Sequence, residues 1–355
     1  MKKTKIKKKI IKKKKDSKSV ETLKDIAKNF GSLEFLSDEE QLFILPTIFP
    51  SFNRASFIGG LPGGSIVELH GPNQGGKTAL GIAFLVSAQK EGHIAMVFDY
   101  EGSFKDKKWP KALGLNLKET LYRSPICYED GADEINEFII EFKKKQGKGK
   151  FKDRMLFILI DSLTSMVPRD ELEGKVGKKN FGLHANLTSQ WLRKLNALIK
   201  GTNISVIFVN QERARIGAGP FEKKWHSAGG EALQFYAHVR IRVFKSLTIK
   251  KKIGIVGKEH KFLVEKNKTS APDEEGYFYT SNGKGKVLLG FDMSKLFFKE
   301  AFIQRIFKKS GKKYKCKFDN EMKNGLMESF VVEKIREEKK FQKWLNKKFS
   351  KNIGK

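Results

Sequence analysis

An α/β fold is predicted for this chain: a mostly parallel sheet with helices on both faces. Three observations predict it. Short apolar runs alternate with segments of helical pattern: SIVELH at 65–70, IAMVF at 94–98, MLFILI at 155–160 and ISVIFV at 204–209. MLFILI and ISVIFV are continuously apolar, as strands buried on both faces are. The chain has 355 residues, 39% of them hydrophobic, which is enough for a large core.

Taken in order, residues 1–18 hold 11 Lys and one Asp and read as a disordered basic arm. The arm lacks the apolar segment of about 7–15 residues that a secretory signal needs. Residues 19–59 form an N-terminal helix and connector: Val20, Leu23, Ile26, Ala27 and Phe30 have helical spacing, Gly31 stops the helix, and Pro46 and Pro50 punctuate the connector. The core spans 60–282. Its helices are expected at Lys77–Glu91, Ala132–Lys144 and Leu187–Lys200, the last with Trp191, Leu192, Leu195 and Leu198 inward. Later strands are expected at His238–Phe244 and Lys261–Glu265. The sheet pattern fades near residue 283, and 283–355 reads as a small basic C-terminal domain with a helix at Glu328–Phe349.

Charge narrows the partner. There are 71 basic and 40 acidic residues, a net charge of +31, concentrated at the two ends. This points to a polyanion, foremost nucleic acid, although 60 Lys against 11 Arg also reflects a lysine bias. No apolar run reaches the roughly 18 residues of a membrane span, so no membrane role is expected. Two distant cysteines, Cys127 and Cys316, exclude a disulfide scaffold and a zinc finger.

Four segments carry chemistry. GPNQGGKT (Gly71, Pro72, Asn73, Gln74, Gly75, Gly76, Lys77, Thr78) fits G-x-x-x-x-G-K-[ST] between a strand and a helix. Its backbone N–H groups suit a phosphate chain, Lys77 the β- and γ-phosphates, and the Thr78 hydroxyl a Mg²⁺ ion. Asp161 ends a buried strand, where it can hold Mg²⁺ or its water. Glu101, also after a strand, can polarise an attacking water. Gln211 ends the strand at 204–209, placed to sense a γ-phosphate. After it comes a glycine-rich loop whose Arg213, Arg215, Lys223 and Lys224 accompany Phe221 and Trp225, a mixture suited to single-stranded polynucleotide.

Seven segments stand in order over residues 60–275: GLPGGSIVELHGPNQGGKT, FDYEGSF, FILIDSLTSMVPRDELEGKVG, FGLHANLTSQWLRKL, IFVNQERARIG, AGGEALQFYAHVR and VEKNKTSAP. Together they resemble the RecA-type recombinases, DNA-dependent ATPases that form filaments and exchange strands. The resemblance implies a RecA-like P-loop core that binds ATP and Mg²⁺ at Gly71–Thr78, with Asp161 as Walker B acid, Glu101 activating water and Gln211 coupling ATP to DNA affinity. It implies that Glu171–Phe181 and Glu212–Ala228 are DNA-binding loops, and that Ser189, Arg193, Arg213, Gly229 and Gly230 contact single-stranded DNA. Lys266 and Lys268 match lysines that reach the ATP of the neighbouring subunit, and Phe235 an interface residue. The implied partners are single-stranded and duplex DNA and further copies of the chain in a helical filament, in the cytoplasm.

The chain departs from the family pattern at several points. Asp99-Tyr100-Glu101 stands for Asp-Ala-Glu, Asn186 for an arginine, and Glu231 for an asparagine. Residues 47–60 only loosely fill the usual S-T-G signature, and the C-terminus is basic where an acidic tail is familiar. These departures motivate a second reading, a non-catalytic mediator that binds DNA or another recombinase. A ring-shaped motor with the same ATPase core is a third, which the EKNK and HSAGGEALQFYAHVR segments disfavour.

Overall fold

The computed structural model describes residues 43–145, 153–175, 182–214, 225–227, 231–284 and 286–353. The basic arm and the helix expected at 19–30 lie outside them.

Among the described residues, ten strands form the central sheet: β1 (Ile66–His70), β2 (Ile94–Asp99), β3 (Thr120–Arg123), β4 (Leu156–Asp161), β5 (Ile204–Val209), β6 (Val239–Val243), β7 (Leu247–Lys251), β8 (Gly254–Asn267), β9 (Glu274–Ser281) and β10 (Gly290–Phe291). Their order is β10-β9-β8-β6-β1-β5-β4-β2-β3, with β7 hydrogen-bonded to β8. From β6 to β3 every neighbouring pair is parallel. Beyond β6 the pairs are antiparallel. The mostly parallel α/β sheet is therefore present, extended by an antiparallel edge that strand patterns alone do not orient.

Each continuous apolar run serves two cores. Along β4, Leu156, Ile158 and Ile160 face one cluster and Phe157 and Leu159 the other. Along β5, Ile204, Val206 and Phe208 oppose Ile207 and Val209 in the same way. This is the period-2 alternation of a pleated strand with both faces covered. Helices α3 (Tyr128–Lys145) and α4 (Leu183–Ile199) cover one face through Ile135, Ile139, Trp191, Leu192 and Leu195. Helix α2 (Lys77–Lys90) lies on the other and is buried almost all round, from Ala79 to Ala88. Its outer neighbours include α1 (Pro50–Ala55), whose Ser51 hydroxyl donates to the Tyr277 carbonyl at 2.6 Å.

The C-terminal segment continues that second core. Helix α6 (Met293–Ile303) and helices α7 (Glu328–Glu337) and α8 (Lys339–Lys351) contribute Phe297, Val331, Ile335, Phe341, Leu345 and Phe349 to it, and Tyr314 and Leu326 of a small three-stranded sheet pack against it. The single helix expected at Glu328–Phe349 is two, separated at Glu338, whose backbone is extended. Geometry explains the break. Six residues separate Ile335 from Phe341, about 240° around a continuous helix, so one helix would turn Phe341 away from the core. Breaking it returns Phe341 to the buried face, where its ring stacks on Phe318 at 4.4 Å between centroids.

Candidate functional site: a phosphate cradle at the carboxyl ends of parallel strands

Strand β1 ends at His70, and the next six residues turn tightly into α2. Gly71 has φ +147°, and a Cβ there would lie 2.0 Å from the Val243 carbonyl oxygen. Gly76 has φ +107°, and its Cβ would meet His260 Nδ1 at 2.5 Å. Both positions combine a left-handed backbone with no room for a side chain, which is why glycine stands there. The loop opens onto the first turn of α2, where unpaired N–H groups and the helix dipole favour an anion.

The parallel strands bring the other predicted residues to this loop. Thr78 Oγ1 donates to Asp161 Oδ2 at 3.0 Å, joining the first turn of α2 to the end of β4. Glu101 follows β2, and its Oε1 accepts hydrogen bonds from the Ser162 hydroxyl, from Ser165 Oγ at 3.1 Å and from Gln211 Nε2 at 3.2 Å. Lys77 Nζ donates to the carbonyls of Gly71 at 2.9 Å and Pro72 at 2.8 Å. Lys77, Thr78, Glu101, Asp161 and Gln211 all line one cavity of about 780 Å³.

Its electrostatics suit a cation as well as an anion. Burial, then the nearby Glu101 carboxylate, pushes the Asp161 carboxyl up to about 7. Asp161 Oδ1 is buried and accepts no hydrogen bond of normal geometry among the described residues. An orphaned carboxylate oxygen beside a threonine hydroxyl fits a hard divalent cation. Burial lowers the Lys77 ammonium from its ordinary value, against the raising influence of Glu101 and Asp161.

Sequence reasoning missed part of the wall. His260 on β8 reaches the Gly75 carbonyl with Nδ1 at 2.6 Å and Thr280 Oγ1 with Nε2 at 2.9 Å, and its ring stacks on Phe278 at 4.4 Å. Trp109 and Asn282 also line the cavity. No local motif marks these residues; His260 and Asn282 arrive through the antiparallel edge of the sheet, and Trp109 through a short helix, Lys108–Ala112. The substitution at Tyr100 has a packing partner. The residue is half-buried, its hydroxyl over Gly131 in α3, where a Cβ would lie 1.7 Å from that oxygen.

Of the other predicted residues, Lys266, Lys268, Ser189 and Arg193 do not line this cavity. Lys266, six residues beyond His260 along β8 and so about 20 Å from it, donates from Nζ to the carbonyls of Gln234 at 2.7 Å and Phe235 at 3.2 Å. Lys268 comes two residues later, its N–H donating to the His238 carbonyl at 2.9 Å. Phe235 beside them is 71% exposed. Ser189 and Arg193 lie on α4, Ser189 half-buried and Arg193 exposed. Arg213 lies in a short strand, Glu212–Ala214, paired antiparallel with Trp225–Ser227. Arg215, Lys223, Lys224, Gly229 and Gly230 lie outside the described residues. Glu231 is exposed, just before the short helix α5 (Ala232–Tyr236).

Comparison with known proteins adds the lineage. Residues 18–286 match the RecA N-terminal domain. The chain is 35% identical over 272 residues to Protein RecA of Sulfurovum sp. (strain NBC37-1), covering 76% of this chain and 75% of the relative. It is 37% identical over 268 residues to Protein RecA of Bacteroides thetaiotaomicron, covering 74% and 77%. Against Protein RecA of Campylobacter jejuni subsp. doylei it is 35% identical over 267 residues, covering 74% of each.

Proposed function

This chain belongs to the RecA family, as a RecA-type recombinase of DNA recombination and repair, and from that premise we propose how its own residues act. Family membership implies DNA-dependent ATP hydrolysis in general. In this chain the work is assigned to the cavity at the strand ends. The observation that carries the assignment is the convergence there of Lys77, Thr78, Glu101, Asp161 and Gln211 from α2 and three parallel strands.

Gly71–Thr78 cradles the phosphates of ATP, and Lys77 turns from the Gly71 and Pro72 carbonyls to the phosphate oxygens. Thr78 and Asp161 would hold Mg²⁺, which when bound supplies positive charge against the phosphate oxygens. Glu101 takes the proton of the attacking water, its carboxylate oriented by the three donors on Oε1. Gln211 links that carboxylate to the loop that begins at Glu212. Nucleotide state and DNA grip are thereby coupled through one hydrogen bond.

Lys266 and Lys268 are assigned to the nucleotide of the next subunit. Their distance from their own cradle along β8 supports this, as does the exposed Phe235 beside them. Hydrolysis then needs a filament of copies. Ser189 and Arg193 on α4, with Arg213, Arg215, Lys223, Lys224, Gly229 and Gly230 in the second loop, are assigned to single-stranded DNA, with duplex DNA as the second substrate of strand exchange.

The test is ATP hydrolysis with and without single-stranded DNA, by the purified protein and its Lys77→Ala and Glu101→Gln variants. We expect stimulation by DNA in the parent and a loss of at least about a hundredfold in each variant. Unchanged hydrolysis in Lys77→Ala would sink the site. DNA binding without hydrolysis in the parent would favour the mediator reading, which the exposed Glu231 motivates, since a carboxylate there opposes DNA phosphate.

A further inference from the structure

Beneath the cradle, the inner strands β1, β6 and β8 carry a cluster of six charged side chains. Glu68 and His70 come from β1, Arg240 and Arg242 from β6, and Glu265 from β8. Glu212 comes from the residue after Gln211. His70, 4% exposed, stands at the centre. Its Nδ1 lies 3.0 Å from Glu212 Oε1 and its Nε2 2.9 Å from Glu265 Oε2. Arg242 faces Glu212 with Nε 2.8 Å from Oε1. Arg240 donates to Glu68 Oε2 at 2.6 Å and approaches Glu265 Oε2 at 3.6 Å. Asn210 completes the Glu68 carboxylate at 2.9 Å.

The geometry dictates a protonation state. Ionised carboxylates only accept hydrogen bonds, so both ring nitrogens of His70 must donate. The ring is then an imidazolium, and the cluster closes with three cations against three carboxylates. A neutral ring would leave one lone pair aimed at a carboxylate oxygen and a net negative charge in a buried place, which is costly.

The three residues that meet at this ring each adjoin a residue of the proposed site. His70 precedes Gly71, the first residue of the cradle. Glu212 follows Gln211, and its N–H donates to the Gly71 carbonyl at 3.2 Å. Glu265 precedes Lys266. We propose that the His70 imidazolium is a positioning residue that ties the cradle and Gln211 to the Lys266 strand, so that DNA-stimulated hydrolysis requires its proton. The inference rests on the functional reading above for the roles of Gln211 and Lys266. Among the described residues, the titratable and charged groups facing His70 all belong to the cluster: Glu68 on its own strand, Arg240 and Arg242 on β6, Glu265 on β8, and Glu212. Burial works against the proton, but the hydrogen bonds to Glu212 and Glu265 outweigh it, and the imidazole is raised above its ordinary value.

The experiment has two arms on the full chain. The first follows the His70 ring by NMR in the parent protein, from about pH 6 to about pH 9. The second measures DNA-stimulated hydrolysis over the same range for the parent, His70→Gln and His70→Lys. The ring is expected to titrate above its ordinary value, and the parent kcat to fall as that proton leaves, with KM for ATP little changed. His70→Gln, with one donor group for two carboxylates, is expected to be about threefold or more slower at the low end of the range, and flat. His70→Lys, which keeps the charge, is expected to restore hydrolysis at the high end. A ring that is neutral throughout, or a pH step that survives in His70→Gln, overturns the inference. A parent without DNA stimulation overturns the functional reading instead, and the NMR titration tells the two failures apart.

Discussion

Tyr100 shows how one side chain can depart from a family pattern at little cost. Its ring fills the space between β2 and α3, and Gly131 leaves room for the hydroxyl. That hydroxyl is buried with no hydrogen-bond partner among the described residues. Removing it should therefore not hurt: Tyr100→Phe is expected to leave the melting temperature unchanged or raise it. Gly131→Ala, by contrast, drives a Cβ into the ring and is expected to cost about 1–3 kcal/mol. The double variant should recover part of that loss, since Tyr100→Phe removes the closest clashing atom. Thermal melts of the three variants check the set, and a double variant no better than Gly131→Ala would refute the coupling.

Among the elements, α7 and α8 depend on the break at Glu338. Phe341 is fully buried, and its ring meets Phe307, Phe318 and Trp344. Phe341→Ala is expected to destabilise the protein by about 3–5 kcal/mol, measured by denaturant unfolding. Lys334 holds the break from outside, with Nζ at 3.0 Å from Asp319, 2.7 Å from Glu321 and 2.8 Å from Glu338. The helical spacing of Val331 and Ile335, and separately of Phe341, Leu345 and Phe349, is plain in the sequence. The break is not, because it is a phase difference between two runs that matters only once both must face one core.

For the protein as a whole, pH acts through histidines of opposite habit. His260 donates from Nδ1 to the Gly75 carbonyl and accepts at Nε2 from Thr280, which satisfies the neutral ring. Burial lowers it to about 4. His238 accepts at Nδ1 from the Ile66 N–H at 3.1 Å and is also lowered to about 4, by burial and then by Lys268 and Lys266. For both, the unfolded chain binds the proton first, so stability is present above about pH 6.5 and falls as pH drops toward about 4. His70 has the reverse sign: its contribution is full below about pH 6.5 and is lost as pH rises through its raised folded value. Unfolding free energy measured against pH should thus decline on both sides of a middle range. His260→Gln should blunt the acid limb; an unchanged acid limb would contradict the neutral role of His260. Charge acts on the same scale. Deleting residues 2–18, which carry 11 Lys, is expected to weaken single-stranded DNA binding and to flatten its dependence on salt. An unchanged salt slope would show that the arm is not on DNA.

Local patterns in the chain were enough to reveal the strand–loop–helix cradle, the four continuous or alternating strands of the core, and the carboxylates at their ends. A phosphate loop and a buried strand are each readable within about ten residues of chain. Folding in three dimensions was needed for the antiparallel edge, the wall formed by His260 and Thr280, and the charged cluster around His70. Those features join residues as far apart as His70 and Glu265, through strand order and register. Strand register gave His70 its second carboxylate, and burial took from His260 its capacity to hold a proton. The same side chain at the two positions carries opposite charge preferences because its hydrogen-bond partners differ, carboxylates at one and a carbonyl and a hydroxyl at the other.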